Sequence, residues 1–303
     1  MKLKVDKYGQ LLILSSFLWG TSFVAAKIGV TNVDPYYLGM WRWVIGAEVL
    51  LIIAFAMKTF ETKIFRDPMV WGIGFLNAIG LTLQNVGLTT TTATNTVLLV
   101  DINVVFVAVI SYFVLNERAS RYTVLGLILG LLGVMYVATG GDMSTLASGS
   151  LIGNILVFSG GIVWAFYIVY QKKLVDRRTE PFMTSAAVVT TAAVTSVPLA
   201  LAFGHAAALD MAGGLSILYL GVVCTGAAWL LYIMGLKGMG ATDSSIILLL
   251  EIVFAMIFAL IILGEVPGWP TLIGAVLIVL AIVLVNVRSN GKGKSSEDKP
   301  KVT

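Results

Sequence analysis

The 303-residue chain is 58% hydrophobic and only 12% charged, with a formal net charge of +4. Such a composition excludes an ordinary soluble domain, and with no GxxxxGK[ST] loop and no soluble stretch of any size it leaves no room for a nucleotide-hydrolysing domain. The single cysteine, Cys224, rules out an intrachain disulfide and reads as a small buried hydrophobe.

Apolar stretches near the length a bilayer demands, roughly 20 residues, predict spans at 9–31, 35–57, 69–88, 93–115, 121–138, 151–171, 181–203, 213–236, 242–263 and 269–287. The first follows a basic flank but exceeds a signal-peptide core, so it is kept as a mature helix. It carries Trp19 and Phe23 four residues apart, on one face, and Lys27 near its end. Arg42 lies in span two; Asn77 and Gln84, with Asn85 adjacent, lie in span three. In span four Asn95, Thr96 and Asn103 fall on one stripe, and Asp101 points about 200° away from Asn103. Gly126, Gly130 and Gly133 give span five a small-residue face, suited to intramolecular packing or a homodimer seam. Residues 139–150 read as a flexible linker. Trp164 and Tyr167 share a face of span six, and Trp229 and Tyr232 one of span eight. Span nine repeats the stripe of span four with Asp243, Ser244 and Glu251. Residues beyond 287 are polar, without periodicity, and read as a disordered tail.

Charge placement orients the chain. Alternating the loops from a cytoplasmic N-terminus puts 18 of the 20 basic residues inside, leaving Lys27 and Arg42 within spans. This asymmetry follows the positive-inside rule and also puts the C-terminus in the cytoplasm. Internal similarity agrees. Gly87-Leu88, Ala93-Thr94, Val105-Phe106, Leu115, Glu117, Thr123 and Gly126 recur 148 residues later, through Glu265 to Gly274, and Trp19 and Lys27 recur as Trp164 and Lys172. Five spans per copy require the second copy to lie upside down. Inverted halves are a mark of secondary transporters, with the solute site between them.

Ionisable and amide groups inside a membrane are expensive and therefore become site candidates. Asn95 and Asp243 also suit helix caps. Glu251 and Asn103 lie too deep for capping, and Glu251 suits a substrate or proton site, with a neutral interhelical hydrogen bond as the alternative. Asp101 is a second proton candidate, or a partner for Arg42. Lys27 and Arg42 suit an anionic group, the alternatives being snorkelling for Lys27 and an ion pair or lipid headgroup for Arg42. Trp41, Trp43, Trp71 and Trp269 read as interfacial anchors. His205 and Asp210 form no metal set, and no catalytic triad converges, so neither metal, cofactor nor catalysis is expected.

FLWGTSFVAAK (Phe17 to Lys27), Pro35, Arg42, and the Leu-x-Glu endings at Glu117 and Glu265 resemble the EamA-type members of the drug/metabolite transporter superfamily. Asn103 departs from the family's pattern, where many repeats carry the glutamate retained at Glu251. The resemblance implies an all-α membrane protein of ten transmembrane helices, arranged as two inverted five-helix repeats around a central cavity. Residues 1–138 would form the first repeat, 139–150 the linker, 151–287 the second repeat and 288–303 a cytoplasmic tail. It further implies a plasma-membrane permease exporting a small metabolite such as an amino acid by alternating access. Multidrug efflux is the alternative, ahead of an intramembrane enzyme or signalling subunit. The expected partners are a small-molecule solute and membrane lipid, not nucleic acid.

Overall fold

The computed structural model describes residues 6–91, 96, 99–144, 150–178, 180–205, 210–263 and 266–297; the side chains of residues 23, 24, 27, 138, 259, 263 and 286–297 are outside the description. Helices follow one another along the described residues: α1 Lys7–Asn32, α2 Pro35–Ala56, α3 Pro68–Leu88, α4 Leu99–Val114, α5 Arg121–Thr139, α6 Leu151–Arg177, α7 Pro181–Phe203, α8 Met211–Leu236, α9 Ala241–Ile262 and α10 Trp269–Glu297. By length and composition α2, α3, α6, α7, α8 and α9 are able to cross a membrane, and α4, α5 and α10 hold shorter apolar helices. In lipid every backbone polar group must be satisfied within the chain, which helices achieve. The protein is a multi-pass, all-helical membrane protein.

The helix starts are written locally. Asp6, Asp34, Asp67 and Asp210 accept backbone N–H bonds from Gly9, Tyr36, Met69 and Gly213 at 2.7, 2.9, 3.0 and 2.7 Å. Proline follows at the first helical position in α2 and α3, where its missing N–H costs nothing. α6 continues past the expected end at residue 171 because Lys172 remains satisfied inside the bundle, as described below. α10 likewise runs on through residue 288, where the tail was expected to begin.

Packing couples the two halves of the chain. α1 packs on α8 and α9, while α6 packs on α3 and α4; α2 packs on α8, while α3 packs on α7. Exchanging the first five helices for the last five turns each of these pairings into its counterpart. The remaining large contacts, α2 with α7 and α5 with α10, map onto themselves. The Gly126, Gly130 and Gly133 face is taken up inside the chain. A Cβ on Gly133 would lie 2.7 Å from the Gly274 carbonyl of α10, and one on Gly126 would meet Val285 at 3.0 Å. That face is therefore not free for a second copy.

The α3–α7 contact is as close. A Cβ on Gly74 would sit 2.1 Å from Thr191 Oγ1 and 2.8 Å from the Ala192 nitrogen, whereas one on Gly72 would meet nothing within 4 Å. Gly74→Ala is expected to destabilise the protein by about 1–3 kcal/mol through overpacking, and Gly72→Ala to leave stability equal or slightly higher. Thermal unfolding in detergent checks this; coincident midpoints for the two variants would contradict the close contact.

Candidate functional site

The centre of the bundle is aromatic. Trp229 of α8 lies against Trp19 of α1 and Trp43 of α2, each with ring centroids 5.0 Å apart and edge-on, and Trp164 and Tyr167 of α6 complete the wall at 6.2 and 6.3 Å from it. Indole nitrogens lock the rings: Trp19 donates to the Cys224 carbonyl at 2.8 Å, Trp164 to Gln84 Oε1 at 3.2 Å and Trp229 to the Tyr167 hydroxyl at 2.9 Å. Buried indole N–H groups need such partners. The Cys224 carbonyl is available because residues Leu220–Ala227 are π-helical, which alters the register of α8.

The same π stretch aims Arg42. Thr225 Oγ1 accepts from Arg42 Nε at 2.9 Å, and the terminal guanidinium nitrogens make no hydrogen bond to the described residues. Arg42 and Glu251 lie deep among protein atoms yet keep accessible surface. That combination fits groups that line an internal hollow rather than dry packing. Asp101, 6% exposed, lies within the electrostatic reach of Glu251, as does Arg42. Among the described residues, none of the three closes to an ion pair with another.

Both carboxylates sit at interruptions of their helices. α4 breaks at Ile102, with the Val105 N–H returning to the Ile102 carbonyl at 3.0 Å. α9 breaks at Leu249, with the Leu249 and Ile252 N–H groups bonded to Ile246 and Leu249 at 3.3 and 3.2 Å. Interrupted helices at membrane depth are tolerated where they line a cavity. The break bears on the reading of span four. Asp101 and Asn103 were set on opposed faces by continuous helical geometry, but the helix is not continuous between them. Asp101 reaches the charged group, and Asn103, two residues on, is partly accessible.

Other sequence candidates are sorted as follows. Gln84 serves Trp164, and Asn85 Nδ2 donates to the Pro35 carbonyl at 3.5 Å. Asn77, Tyr167 and Tyr232 are buried around one hydroxyl. Asn95 and Glu265 lie outside the described residues, as do the side chains of Phe23 and Lys27. Trp43, read as an interfacial anchor, is 1% exposed and belongs to the aromatic wall; its distance from the span end misled. Asp243 is not a cap: it lies in the first turn of α9 and accepts from Thr123 Oγ1 at 3.0 Å. Thr225 went unrecognised because the π stretch shifts the face expected from a regular helix.

The cap of α9 comes from the other half of the chain. Asn116, in the left-handed region at φ 55° that Asn tolerates, ends α4 and turns the chain back. Glu117 Oε1 then accepts the Ala241 N–H at 3.0 Å. Burial pushes the Glu117 carboxyl above its usual range, opposed by the N–H groups of Ala241 and Thr242 and by the Lys172 charge. Lys172 holds the C-terminus of α8, donating to the Leu236 carbonyl at 3.1 Å while paired with Asp176 at 2.6 Å. Glu117 and Lys172 thus tie α4 and α6 to the adjoining ends of α8 and α9.

The model of the EamA-like transporter family matches residues 7–139 and again 151–287. The chain belongs to the EamA-like transporter family. An uncharacterized transporter of Archaeoglobus fulgidus is 25% identical over 284 residues, spanning 92% of this chain and 97% of its own. The Bacillus subtilis uncharacterized transporters YyaM and YdfC are 26% and 28% identical, spanning 90% and 91% of this chain and 91% and 90% of theirs. A crystal structure 19% identical covers 94% of the chain and 97% of its own with a TM-score of 0.77, which shows a shared fold. These relatives are named as transporters and none as an enzyme; the EamA protein is a membrane transporter.

Removing the cap that ties α4 to α9 tests whether the Glu117 contact holds this end of the bundle together. Loss of a cap costs about 1 kcal/mol, or about fivefold in an opening equilibrium. In a Cys224→Ser background, a cysteine at buried Ser244 is expected to react several-fold faster with a hydrophilic maleimide after Glu117→Ala. An unchanged rate would show that Glu117 does not hold this end shut.

Proposed function

We propose that this EamA permease exports a small zwitterionic metabolite such as an amino acid, as a secondary transporter working by alternating access. The observation that carries the reading is the enclosure of Arg42 and Glu251, of opposite charge, on helices from the two halves of the chain. A lone charge at membrane depth is costly, and a set held apart around a hollow is ready to receive a solute carrying both signs. The guanidinium suits a carboxylate through its two free terminal nitrogens. Glu251 and Asp101 suit an ammonium group or a coupling proton, and Trp19 and Trp164 offer faces to the solute's body.

The exchange symmetry of the helix pairings supports ten spans in two inverted repeats, with α5 and α10 outermost. The basic residues favour cytoplasmic termini in the plasma membrane, which puts the Glu117-capped end on the cytoplasmic side. Multidrug efflux draws support from the aromatic wall and the carboxylates, but Arg42 would repel a cationic drug.

Efflux of a panel of amino acids and sugar phosphates from loaded proteoliposomes, with and without a pH gradient, tests the reading. Arg42→Ala is expected to lower kcat/KM for the transported solute about 10- to 100-fold, the cost of a lost hydrogen bond to a charged group. Glu251→Gln is expected to abolish transport or to uncouple it from the pH gradient. Wild-type rates and wild-type pH dependence in the Glu251 variant would refute its role.

A further inference from the structure

Against the aromatic wall lies a set of buried polar side chains whose hydrogen bonds are not made. The Tyr167 hydroxyl accepts from Trp229, and the Asn77 amide and Tyr232 hydroxyl stand near enough to interact with it. Neither reaches hydrogen-bonding geometry: both amide atoms of Asn77 and the Tyr232 hydroxyl lack partners. Gln171 follows Tyr167 by four residues on the same face of α6, and both its amide atoms lack partners too. Asn77, Tyr232 and Gln171 are each 0% exposed. Buried polar groups are rarely left unpaired, and a cluster of them calls for an occupant.

The set is uncharged: two amides and two phenols. It joins the charged group through the aromatic wall, since Trp229 touches Trp19, and Trp19 is bonded to Cys224 beside Thr225, the residue that holds Arg42. We propose that Asn77, Tyr167, Gln171 and Tyr232 form a neutral subsite for an amide or hydroxyl group on a solute whose charged head is held by Arg42 and Glu251. The subsite selects among solutes that share that head. This rests on the preceding reading of the charged group. When no solute is present, ordered water serves the same groups.

Glutamine and methionine, nearly equal in size and differing in the terminal amide, discriminate the cases. Uptake of each is measured with the full-length protein in proteoliposomes. Wild type is expected to prefer glutamine. Asn77→Leu and Tyr232→Phe are each expected to lower kcat/KM for glutamine about tenfold while changing methionine less than about twofold, because a site built to pair a polar group discriminates by that group. Tyr232→Phe removes a single oxygen and keeps the ring, so it decides the matter even if the Asn77 variant does not fold. Equal losses for both solutes would mean a water-filled structural network and would overturn the subsite, as would a wild type that does not distinguish them. Transport of other amino acids but of neither probe also overturns it. A wild type that moves no amino acid at all overturns the charged-head reading, and the subsite with it.

Discussion

Opposite charges inside an apolar bundle constrain everything around them. Arg42, Asp101 and Glu251 come from α2, α4 and α9, and each would be prohibitively placed if it faced hydrocarbon. Collapsing them into one dry ion pair would compensate their charges but leave nothing for a solute. The structure instead keeps them within electrostatic reach and out of contact. That separation needs rigid walls, which explains why Trp19, Trp164 and Trp229 are bonded through their indole nitrogens rather than merely packed.

Backbone irregularity is concentrated at the same depth. The π stretch of α8 presents a carbonyl to Trp19 and a hydroxyl to Arg42, while α4 and α9 are interrupted beside Asp101 and Glu251. Regular helices would turn these groups elsewhere. Away from the centre, apart from a second π-helical stretch at Ala259–Leu263, aspartate caps and proline starts set the helix ends and glycines let α3 meet α7 and α5 meet α10. The irregular residues are thus where side chains must converge, and the regular ones hold them there.

This division governs what could be read from the amino acids. Helix existence was legible because apolar length and capping residues are local, and intramembrane charge made Arg42 and Glu251 visible without any structure. The Trp229–Tyr232 and Trp164–Tyr167 faces were legible from spacing because those segments are regular. Thr225 was not, because a π turn changes which residues share a face. The interruption of α4 beside Asp101 carried no local signal either, because the residues around it are ordinary helix formers. Gln171 carried a usable signal, four residues after Tyr167, but stood at the expected end of span six beside Lys172 and Lys173 and was passed over. The Leu-x-Glu ending was recognised as a pattern, yet its function as a cap for α9 depends on a partner 124 residues away.

The central claim is a solute-accessible hollow between the two halves at the depth of the charged group. Cysteines placed singly at Asn103 and at Phe113, which is 75% exposed on the outside of α4, separate a hollow from the lipid face once Cys224 is replaced by serine. With a membrane-impermeant thiol reagent in intact membranes, position 103 is expected to react and to be protected by transported solute, while position 113 stays silent. An unreactive position 103, or one whose labelling no solute alters, would contradict the account.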